Sequence, residues 1–121
     1  MALADPQIIT VNAVAKSMPL ILREGSHSLY RMSDLTFSLD IRHRQVTRNK
    51  KKYVVSTCQS IERKIVTNPL DSSNDYEQNV WSVQNDRPEV GFTLTEHQNH
   101  WTGMKAWYDN TMVGKIIGQE T

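Results

Sequence analysis

Between Leu35 and Val46 apolar and polar residues alternate one by one, with Phe37, Leu39 and Ile41 at odd positions and Thr36, Ser38, Asp40, Arg42 and Arg44 at even ones. A period of two does not suit a helix, where one face recurs at three and four. In an extended strand it sends every apolar side chain to one side of a sheet and every polar one to the other. The chain must therefore build a sheet with one face covered and the other open to water or to a ligand.

The open face takes its sign from the adjoining basic run. Arg42 to Lys52 reads RHRQVTRNKKK, six Lys or Arg with no Asp or Glu, in a chain of 14 basic and 13 acidic residues. That stretch carries +6 and the remainder −5. So local a field attracts polyanions to one place and leaves the rest of the surface neutral or acidic, which makes nucleic acid the first partner to consider. The alternative is a basic hairpin tip that only solvates a turn.

At 121 residues the chain is expected to form one domain, and a lone domain of this size buries only roughly two-thirds of its unfolded surface. Burial against a partner would help it. The negative mean hydropathy and short apolar runs argue against a membrane protein. The opening MALADPQ has neither a basic leader nor a long apolar run, so it is expected not to be a signal peptide. The single Cys58 has no internal disulfide partner. Within a strand-like run it reads as a buried, reduced thiol.

Strands fill the first two-thirds of the chain. Ile8 to Asn12 and Leu20 to Arg23 are short β-branched segments that suggest an N-terminal hairpin over residues 1–26, with Pro19 holding the second near an edge. Glu24-Gly25-Ser26 is turn material, and Ser28 to Met32 is another short strand. The long strand Leu35 to Val46 and the basic turn Thr47 to Lys51 lead into Lys52 to Val66. There Tyr53, Val55 and Ile61 share one face, Val54, Ser56, Cys58 and Ser60 the other, and imperfect alternation suggests a bulge. TNPLDSSND, Thr67 to Asp75, is a loop, and Tyr76 to Asn85 is a third long strand ended by Asp86-Arg87-Pro88-Glu89. Together these segments predict an antiparallel sheet over 27–90.

At Thr93 the period changes. Thr93-Leu94-Thr95-Glu96 and Thr95-Glu96-His97-Gln98 both resemble helix starts of the capping-box kind. Leu94, Trp101, Met104, Tyr108 and Met112 then recur at helical spacing, a break is expected at Asp109-Asn110, and Met112 to Ile117 forms a second helix stopped by Gly118. Residues 92–121 are thus two helices whose Trp, Met and Tyr stripe is the natural cover for a sheet's apolar face, and the fold class is α+β.

Enzymatic chemistry finds little support. The chain has no phosphate loop, nucleophile elbow or dinucleotide fingerprint. His97 and His100, one turn apart beside Glu96, lack a third ligand nearby in sequence. The expectation is no enzyme, no metal, no cofactor, no membrane and no small-molecule substrate.

Size, element order and four local segments, SLDIRHRQ, RNKKKY, NPLDSSND and VGKIIGQET, resemble the coat protein of the small single-stranded RNA bacteriophages, the leviviruses. The resemblance spans nearly the whole chain. It implies a meander sheet of about five strands and an obligate homodimer whose two sheets pair edge to edge, each chain's helices lying on the partner's sheet. Phe37, Leu39 and Ile41 would then meet Trp101, Met104 and Tyr108 across the dimer. It further implies assembly into an icosahedral virion capsid, synthesis in the bacterial host cytoplasm, and packaging of single-stranded RNA on the inner sheet face. That face would also bind an RNA hairpin to repress replicase translation.

By position, the RNA surface implied is Thr36, Ser38, Asp40, Arg42 and Arg44, with Lys52, Val54 and Ser56 on the next strand and Ser82 and Gln84 on the last. Asp40 and Val54 replace small hydroxyl residues expected there, and Ser56 replaces a lysine; Asp40 requires Arg42 or Arg44 as a partner. In the family a last-strand aromatic stacks on an RNA base. Trp81 is the candidate here, but with Ser82 and Gln84 facing RNA it turns to the core, the reading adopted. The loop Asn68, Pro69, Leu70, Asp71, Ser72, Ser73, Asn74 and Asp75 would adapt to the different axes of the shell. The competing class is a small dimeric RNA-binding regulator that never assembles.

Overall fold

The computed structural model describes residues 3–121; Met1 and Ala2, the start of MALADPQ, lie outside the described residues. Seven strands precede two helices, and the contacts divide the chain into two compact units, one ending at Arg87 and the other spanning Pro88–Thr121. The class is α+β, with a hairpin, a five-stranded antiparallel sheet and two C-terminal helices.

The hairpin is built differently from the sequence expectation. β1 (Gln7–Val11) pairs with β2 (Val14–Met18), not with the segment from Leu20. Its two-residue turn, Asn12-Ala13, takes φ of 51° and 60°, the left-handed pair that matches the twist of a tight hairpin. Ala13 carries a Cβ penalty at that φ, which is why the turn is hard to see in sequence. Leu20 is thereby released to open the main sheet as β3 (Leu20–Glu24), which turns at Gly25, φ 53°, into β4 (His27–Arg31). A register shift lies here, between Leu20 and Leu22.

β5 (Phe37–Arg48) and β6 (Lys51–Thr67) form the long hairpin at the centre of the order β3-β4-β5-β6-β7, with β7 (Asn74–Pro88) at the edge. Asn49 and Lys50, at φ 50° and 65°, make its two-residue turn. From Phe37↔Glu62 to Arg48↔Lys51 the pairing runs without a shift, so the bulge expected in β6 is absent from this stretch.

Residues opposite each other in an antiparallel pair share a face. One face therefore holds Phe37, Leu39 and Ile41 with Glu62, Ser60 and Cys58. It is the covered face. Met18 and Tyr30 are fully buried there, and Phe37 and Leu39 are only 8% exposed. Ile9 and Val11 of the hairpin pack against this cluster. Each such side chain contributes about 1.5–3 kcal/mol when removed from water. Tyr30 keeps its hydroxyl satisfied by accepting from Arg23 Nη2 at 2.8 Å. The sequence expectation gave Phe37 and Leu39 to partner helices; in the structure the chain's own hairpin covers them. Among the described residues, Val55 alone adds to these four as buried, a small core for a chain of 121.

In the second unit, α1 (Leu94–Trp107) starts at Thr93, whose side chain accepts from the Glu96 amide at 3.2 Å. Tyr108 is its C-cap. α2 (Asn110–Ile117) begins two residues before the expected Met112, because Asp109 caps it by accepting from the Met112 amide at 3.0 Å. Neither helix has a buried residue, and Trp101, Met104 and Trp107 remain 47%, 44% and 52% exposed.

Candidate nucleic-acid interface

The face away from the hairpin is the polar one. β5 gives it Ser38, Asp40, Arg42, Arg44 and Arg48, and the register sets Ile61, Gln59, Thr57, Val55 and Lys51 opposite them. β4 adds Arg31, opposite Ser38, and His27, opposite Arg42. Between these strands lies a depression of about 670 Å³ lined by His27, Asp40, Arg42, Arg44, Thr57 and Gln59, among others.

Asp40 is the acidic exception on this face, and it is neutralised in place. Arg42 donates to both its oxygens, Nε to Oδ1 at 3.0 Å and Nη2 to Oδ2 at 3.4 Å. His27 Nε2 stands 3.0 Å from Oδ1, close enough for an ion pair but without the alignment of a hydrogen bond. Burial pushes the Asp40 carboxyl up, but Arg42, the close His27 nitrogen and their charges outweigh it, so the group sits below its ordinary 3.8. The partner that Asp40 requires is therefore Arg42, which leaves Arg44 as the arginine of this strand directed to other uses. Arg48 is also held, donating to Asp86 Oδ2 at 2.7 Å.

The residues expected by position do not all meet. Ser38, Asp40, Arg42 and Arg44 share the polar face, but Lys52, Val54 and Ser56 lie opposite Thr47, Gln45 and His43, on the face of Phe37 and Leu39. The expectation that Lys52 joins Arg42 and Arg44 is thus corrected by the two-residue turn, which pairs every even residue of β5 with an odd one of β6. Ser56 is instead bound by His43 Nδ1 and Arg87 Nη1, each at 2.8 Å. Thr36 belongs to the turn before β5, its amide and hydroxyl donating to Asp34 Oδ1 at 3.0 and 2.7 Å.

β7 can be placed by its contacts. Arg63 stacks on Tyr76 and Arg48 pairs with Asp86. Both arginines lie on the polar face, and Tyr76 and Asp86 are an even number of residues apart. Regular alternation between them puts Ser82 and Gln84 on the polar face and Trp81 on the other, in line with its reading as a core-side residue. The sequence reading did not place Tyr53, Thr57, Gln59, Arg63 or Tyr76 on the RNA-facing surface. Asn-Lys as a two-residue turn, with pairing counted outwards from it, was the signal that reaches the β6 members of this set.

The loop between β6 and β7 is hydrogen-bonded throughout. Asn68 N donates to Ser73 O at 2.8 Å and Ser72 N to Asn68 O at 2.9 Å. Asn68 Oδ1 accepts from Leu70 N, and Asp71 Oδ1 from the Ser73 amide and hydroxyl. Ser73's hydroxyl, then its amide, hold the Asp71 carboxyl below its usual value. Leu70 projects from the tip, 94% exposed, and Asn74 and Asp75 already belong to β7. Among the described residues no cluster of three or more His, Cys, Asp or Glu is arranged to hold a metal ion. No helix among them is long and apolar enough to cross a membrane.

In this chain a hairpin covers one face of an antiparallel meander, the opposite face carries the Asp40–Arg42 pair with Arg44 and Arg48, and two helices follow the last strand. Its sequence matches the family "Phage phiCb5, coat protein" over residues 4–87 of 121, and the chain belongs to that family. The chain is accordingly a structural component of a phage virion capsid and not an enzyme. Two solved structures share the fold. The virus-like particle of Beihai levi-like virus 21 superposes with TM-score 0.75 at 9% identity, over 99% of this chain and 98% of that one. The virus-like particle of bacteriophage AVE019 gives TM-score 0.76 at 12% identity, over 98% and 96%. No curated protein matches the chain.

Proposed function

We propose that this coat protein forms intertwined homodimers, that the dimers assemble into an icosahedral shell, and that the hairpin-free face of the sheet packages single-stranded RNA. The observation that carries this reading is the segregation of the two faces. The hairpin closes one, while the other presents Arg31, Arg42, Arg44, Arg48 and Lys51 and, by alternation beyond Glu62, Arg63. Cations gathered on one side bind phosphate by releasing its counterions. Near-neutral total charge lets the subunits approach one another.

The helices support the dimer. Trp101 and Met104, half-exposed in one chain, form an apolar stripe that needs a cover, and a second copy supplies one. Assembly is also what the solved relatives' particles display. Recognition of one RNA hairpin and repression of replicase translation form the finer part of the proposal, with Arg44, Thr57 and Gln59 beside the neutralised Asp40 as the polar groups available for it. The hydrogen-bonded loop at 68–73 is the part proposed to adapt around the axes of the shell.

Electron microscopy of the protein expressed without other viral genes, combined with nuclease treatment and RNA extraction, tests the reading. Uniform particles holding nuclease-protected RNA are expected. Dimers alone, across salt and added RNA, would replace it with a free RNA-binding regulator; particles devoid of RNA would remove the packaging role.

A further inference from the structure

His27 and Arg42 face each other across β4 and β5, and both reach the same carboxylate. Arg42 Nε and His27 Nε2 each stand 3.0 Å from Asp40 Oδ1. Arg42 donates hydrogen bonds to that carboxylate, whereas His27 Nε2 is a buried nitrogen without a hydrogen-bond partner. The three side chains are layered, with Asp40 16% exposed, His27 27% and Arg42 65%. The arginine is the outermost of them, free to swing into solvent while the carboxylate stays behind.

Imidazole is the side chain whose charge changes between about pH 5 and 8. A proton on His27 acts twice here. It gives Asp40 a second cation at ion-pair distance, and it sets a like charge directly opposite Arg42, which is a destabilising pair on a sheet. Both effects loosen Arg42 from Asp40. Asp40 stays ionised meanwhile, because against the opposing effect of burial its two neighbours hold its carboxyl below the ordinary 3.8. Glu24, opposite His27 on β3, adds a second negative charge to the depression, and Arg31 and Arg44 flank the site on β4 and β5. On β6 the residues opposite Asp40 and Arg42 are the uncharged Gln59 and Thr57. His43 borders the same depression, but its Nδ1 is engaged with Ser56 Oγ at 2.8 Å.

We infer that His27 is a proton-dependent member of the RNA-binding face: neutral, it leaves Arg42 closed on Asp40; protonated, it replaces Arg42 as the partner of Asp40 and releases that guanidinium to an RNA phosphate. This deepens the RNA-packaging reading and rests on it. The face then holds RNA more tightly in mildly acid than in alkaline solution, and by linkage RNA binding draws a proton onto the protein. One titrating group changes affinity by at most about tenfold per pH unit. One released arginine adds about 0.7 to the log–log salt slope on a single strand.

The test is fluorescence anisotropy of the purified protein with oligouridylate of about 16 nucleotides, whose bases stay uncharged throughout, titrated with salt at about pH 5.5 and pH 8. The parent is expected to bind more tightly at the lower pH, with a salt slope steeper by about 0.7. His27→Gln should bind as the parent does at the higher pH and keep that affinity and slope at the lower one. Arg42→Gln should show one slope at both, since no arginine remains to be released, and His43→Gln should follow the parent. Calorimetry of the parent in two buffers of different ionisation enthalpy should record proton uptake on binding, a reading that needs no variant. An affinity and slope that ignore pH, a change retained by His27→Gln or lost by His43→Gln, a slope that still steepens in Arg42→Gln, or binding without proton uptake would overturn the switch while leaving RNA packaging in place. A parent protein that binds no strand at either pH would overturn both.

Discussion

Arg44 and Lys52 lie in one basic run, but the register puts them on opposite faces, which separates a charge proposed to bind RNA from one that is not. Arg44→Ala is expected to weaken binding of single-stranded RNA and to reduce the log–log salt slope by about 0.7, the loss of one phosphate contact. Lys52→Ala should leave that slope unchanged, as a salt titration of both variants will show. Asp40 makes a second prediction. Its folded pKa lies below its ordinary 3.8, so it binds its proton less readily when folded. The stability it contributes is present above the unfolded value and lost as pH falls through the folded one. Asp40→Asn should therefore flatten the fall in melting temperature below about pH 4, whereas an unchanged acid profile would separate the ion pair from stability. Burial, and after it the charge of Asp40, pushes the Cys58 thiol up from its ordinary pKa.

Among the elements, β5 was legible because one face of the sheet is truly dry: Phe37 and Leu39 are buried and the alternating Ser38, Asp40, Arg42 and Arg44 point the other way. Both helices were legible, α1 from Thr93, whose side chain satisfies a free amide at its start, while α2 was read two residues late because Asp109 was taken as a break and not as the cap it is. The hairpin was not. Its turn uses Ala13 in a left-handed conformation that nothing in local propensity favours, and tertiary packing of Met18 on Tyr30 and Phe37 decides the pairing. Placement of β6 failed for a related reason, because one residue more or fewer in a turn reverses every side chain after it. If the hairpin is the lid of the sheet, Met18→Ala should cost about 2–5 kcal/mol in denaturant unfolding. Ile8→Ala, at a position 59% exposed, should cost far less.

For the whole molecule, the five side chains buried among the described residues make a small core, and the apolar surface left on α1 is where the proposed dimer would add to it. Trp101→Ala should raise the dimer dissociation constant in sedimentation equilibrium and make the melting temperature more dependent on concentration. A variant that remains as dimeric as the parent would place the interface elsewhere. On the proposed reading, the hairpin face and the RNA face are opposite sides of one sheet. Cryo-electron microscopy of RNA-filled particles tests it most directly. The Gln7–Met18 hairpin is expected on the outer surface, with RNA density against Arg42, Arg44 and β6 inside. RNA density on the hairpin side, or a sheet turned with Arg44 outward, would contradict it.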